Sequence, residues 1–358
     1  MRNSRQIKVG NVLVGGGAPV SIQSMTNTDT KDVEASIKQI NELAEAGCDI
    51  VRLTVPDLDA AKAFGQIKKK SPLPMVADIH FDYKCALAAM DNGADKVRIN
   101  PGNIGSDDKV RMVLDKAKEC GIPIRIGVNS GSLEKDIIAK YGGVTAEGLA
   151  ESAYKAVKYA QSFGFYDIAV SLKSSDVQMN HKAHKLIADR IDNPLHIGLT
   201  EAGVGEMAEI KSCSALGALL LDGIGDTIRI SLTGDPVREV LLAKKLLKAI
   251  GIRKGGIDFV SCPTCGRTKV DLPKIAAEIE KELISVSKKL EAENRCLRVA
   301  VMGCAVNGPG EAKSADIGVA CGKGEGLIIS KGEIVKKVPE SKIKEELLSQ
   351  IDILIRQR

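Results

Sequence analysis

Cys262 and Cys265 form a C-x-x-C pair in Ser-Cys-Pro-Thr-Cys-Gly, and Cys304 follows in Met-Gly-Cys-Ala-Val-Asn-Gly-Pro-Gly-Glu, which ends at Glu311. Soft thiolates suit zinc or iron–sulfur clusters. The pair puts two sulfurs on one tight turn, and the third arrives from a glycine-rich loop far along the chain. Three thiolates leave a four-coordinate site open. The fourth ligand is another cysteine, a substrate, or an oxygen such as the Glu311 carboxylate, with Cys296 and Cys321 as its rivals. A structural zinc ribbon wants a second C-x-x-C or a histidine pair, and no histidine lies beyond His196. A thioredoxin-type dithiol would leave Cys304 and its loop without a role. A cluster with a weak or open corner can bind and reduce a substrate, so the spacing directs the reading toward redox chemistry. The other cysteines, Cys48, Cys85, Cys120 and Cys213 with Cys296 and Cys321, sit mostly in apolar or helical contexts and read as packing residues.

A second set of residues lies in apolar runs. Arg52 and Thr54 stand two apart, as do Asp78 and His80, Arg98 and Asn100, Ser171 and Lys173, and Arg229 and Ser231; Arg125, Gly127 and Asn129 continue the pattern. Side chains two apart share one face of a strand. Converging cations are costly to desolvate unless an anion fills the gap. Arginine is the usual choice for bidentate phosphate binding. Arg52, Arg98, Arg125, Lys173 and Arg229 therefore imply a ligand with several negative charges, most simply a diphosphate. Asp78 and His80 read either as a general acid/base pair or as a hydrogen-bonded core pair. His181 and His184, three apart in a helical stretch, read as surface residues.

The elements that must position these groups follow from the pattern. Strands are expected at Val20–Met25, Asp49–Val55, Pro74–His80, Lys96–Pro101, Pro123–Asn129, Asp167–Ser174, Leu195–Thr200 and Asp226–Leu232. Amphipathic segments such as Asp32–Ala46 and Ala146–Ser162 lie between them, several stopped by Gly47, Gly93, Gly121 or Gly164. Eight strand–helix units favour a TIM (β/α)8 barrel over a doubly wound sheet, and most polar pairs fall late in their strands, at the mouth where such barrels build sites. A helix at Pro236–Ile250 precedes a glycine- and lysine-containing stretch, Gly251–Gly256. The boundary is placed there: a barrel over 1–250 and a smaller α+β domain over 251–358. The second domain is expected to run strand (Ile257–Val260), cysteine turn, helix (Leu272–Leu290), strand (Cys296–Met302), glycine loop, a strand pair near Asp316–Ala320 and Gly326–Ile329, and a helix near Ser341–Ile355. The triple glycine Gly15–Gly17 lacks the context of a dinucleotide fingerprint and reads as a hairpin turn.

Composition narrows the classes. The chain has 358 residues, enough for a large core and two domains, and 44% are hydrophobic. Tryptophan is absent and aromatics make only 3%, so Ile, Val, Leu and Ala must build the core, as in α/β proteins. Lys plus Arg number 51 against 46 for Asp plus Glu; this mild +5 excess does not argue for nucleic acid, and five Tyr and five Phe leave few stacking platforms. The opening residues lack the apolar run of a signal peptide, and no run is long enough to span a bilayer. Nine cysteines in such a chain read as reduced thiols or ligands, so a cytoplasmic protein is expected.

With these residues in hand, the chain resembles the bacterial two-domain 4-hydroxy-3-methylbut-2-enyl diphosphate synthases of the methylerythritol phosphate route to isoprenoids. The resemblance runs through Ser-Met-Thr-Asn-Thr (24–28), Val-Ala-Asp-Ile-His-Phe (76–81), Val-Arg-Ile-Asn-Pro-Gly (97–102), Arg-Ile-Gly-Val-Asn (125–129) and Leu-His-Ile-Gly-Leu-Thr-Glu-Ala-Gly (195–203). It continues in Ser-Cys-Pro-Thr-Cys-Gly-Arg-Thr (261–268) and Met-Gly-Cys-Ala-Val-Asn-Gly-Pro-Gly-Glu (302–311), the most specific of all.

The resemblance implies a TIM barrel joined to a domain like those of sulfite and nitrite reductases. It implies a [4Fe–4S] cluster on Cys262, Cys265, Cys304 and Glu311, with Glu311 also catalytic as the weak ligand. It implies substrate binding by Arg52, Arg98, Arg125, Asn129, Lys173, Arg229 and Ser231. The reaction implied is two-electron reductive opening and dehydration of 2-C-methyl-D-erythritol 2,4-cyclodiphosphate. The donor would be a flavodoxin or a ferredoxin, and the enzyme a homodimer in which each cluster domain caps the partner's barrel. The family's barrel is similar to that of dihydropteroate synthase. Plant-type members carry a large insertion between the domains that this chain lacks, and Cys321 stands where a small residue is expected. Two other readings stand beside this one. A pterin-type barrel transferase with a zinc-stabilised tail predicts zinc and no reductant. A zinc-dependent nucleic-acid module predicts salt-sensitive binding, against which the few aromatics and the strand-borne cations both speak.

Overall fold

The computed structural model describes residues 1–100 and 104–357. The chain divides into two compact units, Met1–Ile252 and Arg253–Arg358.

The first unit opens with a hairpin of β1 (Ile7–Val9) and β2 (Val12–Val14). Eight parallel strands follow: β3 (Ser21–Met25), β4 (Ile50–Thr54), β5 (Met75–Asp78), β6 (Lys96–Ile99), β7 (Ile124–Asn129), β8 (Ile168–Lys173), β9 (His196–Gly198) and β10 (Thr227–Arg229). Their order is β8-β7-β6-β5-β4-β3-β10-β9. The bridge between Val170 and Leu195 joins the two ends, so the sheet closes into a barrel. Both faces of the strands are covered, which is why they read as near-continuous apolar runs. Each of the eight expected strands appears, trimmed at its ends; Pro101, the last residue of one of them, lies outside the described residues.

Aspartates set where the helices begin. The Asp32, Asp57 and Asp176 carboxylates accept from the N–H groups of Ala35, Ala60 and Met179, satisfying donors that a first turn leaves open. Gly47 and Gly121 end their helices in the left-handed conformation. The β1–β2 hairpin seals one end of the barrel, with Ile7, Val9 and Val14 packed on Ile50, Val76 and Ala169 at or near the strand starts. Its turn is Gly10–Asn11. The triple glycine is therefore not the hairpin turn: it follows β2, where Ala18 N–H closes a separate turn onto Gly15 O.

The second unit holds a five-stranded sheet, β11 (Gly256–Ser261), β12 (Cys296–Met302), β13 (Ile317–Cys321), β14 (Glu325–Ser330) and β15 (Glu333–Pro339). β11, β12 and β13 run parallel, and β14 and β15 turn back antiparallel. The helices Leu272–Ala292 and Ile343–Arg356 bury Leu272, Ile279, Leu283, Leu290, Ile343 and Leu347 against one face. A short helix, Gly308–Lys313, packs Ala312 against Ala300, Met302 and Ala320 on the other. This helix stands in what the sequence presents as an open glycine loop. Neither β15 nor the helix Lys135–Tyr141 is expected from the sequence. Among the described residues, no helix is long and apolar enough to cross a membrane.

Candidate functional site

At the mouth of the barrel the strand register sets polar side chains beside one another. Arg52 aligns with Met25, Asp78 with Thr54 and Arg98, Arg98 with Arg125, and Asn129 with Lys173. Asp78 lies 3.7 Å from Arg52 Nη2 and 3.5 Å from Arg98 Nη1. Arg229 Nε donates to Glu239 Oε2 at 3.4 Å. Arg52 also donates to Met25 Sδ from Nε at 3.1 Å and Nη2 at 2.9 Å, while Arg229 Nη1 reaches the same sulfur at 3.5 Å. A thioether is a weak acceptor, so two guanidiniums share one poor partner.

Two glycines make the room. A Cβ on Gly127 would fall 2.7 Å from Arg98 Nε, and one on Gly198 would fall 3.3 Å from Lys173 Nζ and 2.8 Å from Arg229 O. Any side chain at Gly127 would displace the Arg98 guanidinium.

The charges are unbalanced. Arg52, Arg98, Arg125, Lys173 and Arg229 act on one another across the barrel, and Asp78 and Glu239 are the carboxylates paired with them. Arg125 is 1% exposed, and its Nε and Nη1 have no hydrogen-bond partner among the described residues. Burial first, and then Arg52 and Arg98, push the Arg125 guanidinium well below its usual range. Burial and then Arg229, Arg52, Arg125 and Arg98 do the same to Lys173. Arg52 is lowered to about 10 by burial, against the opposing pull of Asp78. Burial alone would raise the Asp78 carboxyl, but Arg52, Arg98 and Arg125 outweigh it and hold it below the ordinary carboxylate range. An anion among these cations would lower their electrostatic cost.

The remaining expected residues fall around this cluster. Asn129 ends β7 half-buried, and Ser231 lies just beyond β10, also half-buried. Asp78 gives its oxygens to Arg52 and Arg98, and His80 stands exposed past the end of β5. The pair is thus split between an ion-pair network and the surface. His184 corrects its surface reading. It is fully buried on its helix, Nδ1 against Asn180 O at 2.8 Å, and burial lowers it to about 4; His181 is half-buried against Asp222. Lys96, Met25 and Glu239 were not singled out by the sequence reading, although Lys96 precedes Arg98 by two and shares its period. Past β9, Glu201 holds a left-handed φ of 54°, an uncommon conformation for a residue with a Cβ.

In the second unit Cys262 follows β11 and Cys304 follows β12, so parallel neighbours bring them to one edge of the sheet. Gly303 N–H donates to Cys262 Sγ at 3.3 Å, which ties the two loops together. The backbone N–H groups of Asn307, Val306 and Gly308 lower the Cys304 thiol, with Arg267 adding to them. Such a nest favours thiolate. Cys265 lies exposed on its turn, its N–H donating to Thr268 Oγ1 at 3.2 Å, and Glu311 is exposed on the Gly308–Lys313 helix. The structure does not gather the four into a closed set: among the described residues no three histidine, cysteine, aspartate or glutamate side chains converge as a metal site. Four negative donors repel one another, so closure of such a set depends on the cation it holds. Their chemistry still fits a thiophilic group, since backbone N–H groups lower the Cys304 thiol and Cys262 accepts a backbone donor.

Cys321 is fully buried, and burial pushes its thiol up to about 12. Cys296 begins β12, at the end of that strand away from Cys304, and is exposed, as is Cys120; both depart from the packing role expected of them.

The chain is similar to known proteins over nearly all its length. It is 53% identical over 354 residues to the 4-hydroxy-3-methylbut-2-en-1-yl diphosphate synthase (flavodoxin) of Caldanaerobacter subterraneus, covering 99% of this chain and 98% of the relative. It is 56% identical over 349 residues to the protein of that name from Clostridium acetobutylicum, covering 98% of each. Among solved structures, the type I 3-dehydroquinate dehydratase of Clostridium difficile matches with a TM-score of 0.51 at 12% identity, covering 70% of this chain and 97% of that one, a likeness of barrel fold alone. The GcpE TIM-barrel domain matches residues 4–244 and the GcpE protein C-terminal domain matches residues 258–353. A barrel with a cation-lined mouth and a mixed-sheet unit with a cysteine edge thus come together in a chain that belongs to the GcpE family.

Proposed function

We propose that this enzyme is a 4-hydroxy-3-methylbut-2-en-1-yl diphosphate synthase of isoprenoid biosynthesis. In this reading it opens the ring of 2-C-methyl-D-erythritol 2,4-cyclodiphosphate and removes water, with two electrons entering. One observation carries it: Arg52, Arg98, Arg125, Lys173 and Arg229 converge on the barrel mouth, and among the described residues only Asp78 and Glu239 are paired against them. The relatives named for this activity support it.

Arg52, Arg98 and Arg229 bind the diphosphate oxygens, and Met25 gives way as the acceptor of Arg52 and Arg229. Arg125 and Lys173 add charge from deeper in the barrel, while Asn129 and Ser231 orient the ligand at the rim. When the ring C–O bond breaks, a phosphate oxygen gains charge, and cations already in place stabilise it without reorganising. Asp78 remains a carboxylate that spaces the guanidiniums. Of the two acid/base candidates, exposed His80 is the one able to exchange a proton with solvent.

Cys262, Cys265, Cys304 and Glu311 would hold a [4Fe–4S] cluster in the second unit. When bound, it supplies electrons one at a time. Glu311 is preferred as fourth ligand because Cys321 stays a buried thiol and Cys296 lies at the far end of its strand. The donor proposed is a flavodoxin, as in the relatives' names, rather than a ferredoxin. A homodimer and a cytoplasmic setting complete the proposal. The 3-dehydroquinate dehydratase likeness adds no second reading, being one of barrel fold alone.

The test is metal and sulfide content with a visible spectrum, on protein purified without oxygen. About four irons and four sulfides per chain, with brown absorption bleached by dithionite, are expected. Glu311→Ala should then lose turnover. One zinc and no colour would sink the redox reading.

A further inference from the structure

Below the cation cluster the barrel holds a titratable group that the proposed chemistry leaves unused. Lys96 begins β6 and is fully buried. Its Nζ reaches Gln23 Oε1 on β3 at 3.4 Å. The other groups facing it are cationic or neutral: Arg52 from β4, Arg125 from β7 and His196 from β9. Asp78 on β5 acts on Arg52, Arg98 and Arg125 and is not among the groups acting on Lys96. The surrounding floor is polar and poorly satisfied. Ser21 Oγ, Gln23 Nε2, Arg125 Nε and Nη1, Thr227 Oγ1 and both ring nitrogens of His196 are buried without hydrogen-bond partners among the described residues.

An ammonium in that position has no counter-charge and two guanidinium neighbours. Burial first, then Arg125 and Arg52, drive it well below the ordinary lysine range, which favours the neutral amine at rest. His196, lowered by burial and then by Arg125 and Lys173, is neutral too. An anion bound above Arg125 and beside Arg52 offsets the field at Nζ, because those two guanidiniums are the charges that depress it.

We propose that Lys96 takes up a proton as the anionic ligand enters the barrel mouth, so that it acts as a buried positioning residue whose charge appears only in the complex. The proposal rests on the diphosphate reading above. The step is a plain protonation: the Nζ lone pair accepts a proton from solvent, –NH2 becomes –NH3⁺, and no electron moves. The new cation then adds positive charge beneath the bound anion, and affinity must weaken as pH rises.

The experiment is calorimetric titration of oxidised holoenzyme, without reductant, with 2-C-methyl-D-erythritol 2,4-cyclodiphosphate near neutral pH. HEPES and Tris, which differ in ionisation heat, give the protons taken up per ligand bound. The wild type should take up about a third of a proton or more. In Lys96→Met that uptake should fall by at least half, and the dependence of affinity on pH should flatten. Ionisation of the ligand is common to both proteins and cancels between them. Ligand-free Lys96→Met should also melt about 2 °C or more above the wild type, since a buried amine held by one long hydrogen bond to Gln23 is replaced by an apolar chain of similar length.

Equal uptake in both proteins, or none in the wild type, overturns the proposal while leaving the diphosphate reading in place. A lower melting temperature for Lys96→Met overturns it as well, because the lysine would then be structural. Lys96→Gln repeats the comparison if the methionine variant does not accumulate folded. Absence of any binding heat at several temperatures takes down the diphosphate reading itself, and this proposal with it.

Discussion

Asp78 decides how the barrel tolerates its own charge. It is 2% exposed and lies within ion-pair distance of both Arg52 and Arg98. Asp78→Asn keeps the shape and removes the charge, leaving Arg52, Arg98 and Arg125 to repel one another in a dry site. The expected loss in a urea titration is about 3 kcal/mol, the scale for breaking a buried ion pair from one side. Inorganic pyrophosphate should restore more stability to Asp78→Asn than to the wild type, because it supplies the missing negative charge. Equal stabilisation of both proteins would mean that the cations do not share one anion site. At this scale the sequence was informative wherever a polar residue recurred every second position in an apolar run. Arg52, Arg98, Arg125, Lys173 and Arg229 carried that signal. Lys96 carried it too, but a lysine at the start of a strand looks like an ordinary boundary charge. His184 was illegible because burial on a helix depends on which face meets the barrel, and His181 three residues earlier shares nearly the same face.

The helix Pro236–Ala249 illustrates how an element can serve a site from behind. Its Glu239 accepts from Ser24 Oγ at 3.1 Å, from Arg229 Nε at 3.4 Å and from Leu232 N–H at 3.0 Å. One carboxylate therefore fixes β3, β10 and the segment that carries Ser231. Glu239→Ala leaves Arg229 without its carboxylate and the Leu232 amide without its acceptor. A loss of about 3 kcal/mol is expected, with faster hydrogen exchange over Arg229–Leu232 than elsewhere in the barrel. Unchanged exchange there would show that the segment is held by backbone contacts alone. The eight barrel strands and most helices were readable because apolar runs, aspartate caps and glycine stops agree. Elements without such agreement were not. β15 buries only Val338 and so shows no alternation, and β1 and β2 have three residues each. The Gly308–Lys313 helix opens on Gly-Pro-Gly, residues that ordinarily announce a loop.

At the scale of the whole molecule, the two units have separate apolar cores. One gathers residues from Val20 to Leu247, the other residues from Ile257 to Leu354. Separate cores imply separate cooperative transitions, and the two proposed ligands should act on different ones. The cyclic diphosphate at about 100 times its dissociation constant adds roughly 2.7 kcal/mol to whatever binds it. For a unit the size of the barrel that is a rise of about 5–10 °C in melting temperature. Anaerobic reconstitution with iron and sulfide should instead raise the transition of the cysteine unit, because metal binding free energy becomes folding free energy. Scanning calorimetry of the full chain, with each ligand alone and then both, reads the two effects side by side. Two transitions that move independently would place anion binding in the barrel and cluster binding in the second unit. A single transition, or one moved by both ligands, would mean that the units fold together and that neither ligand can be assigned to one of them by this route. The cysteine unit should respond to iron even in Asp78→Asn, and the barrel to diphosphate even in Cys304→Ala. Those crossed variants distinguish a true division of labour from a general effect of binding on the chain.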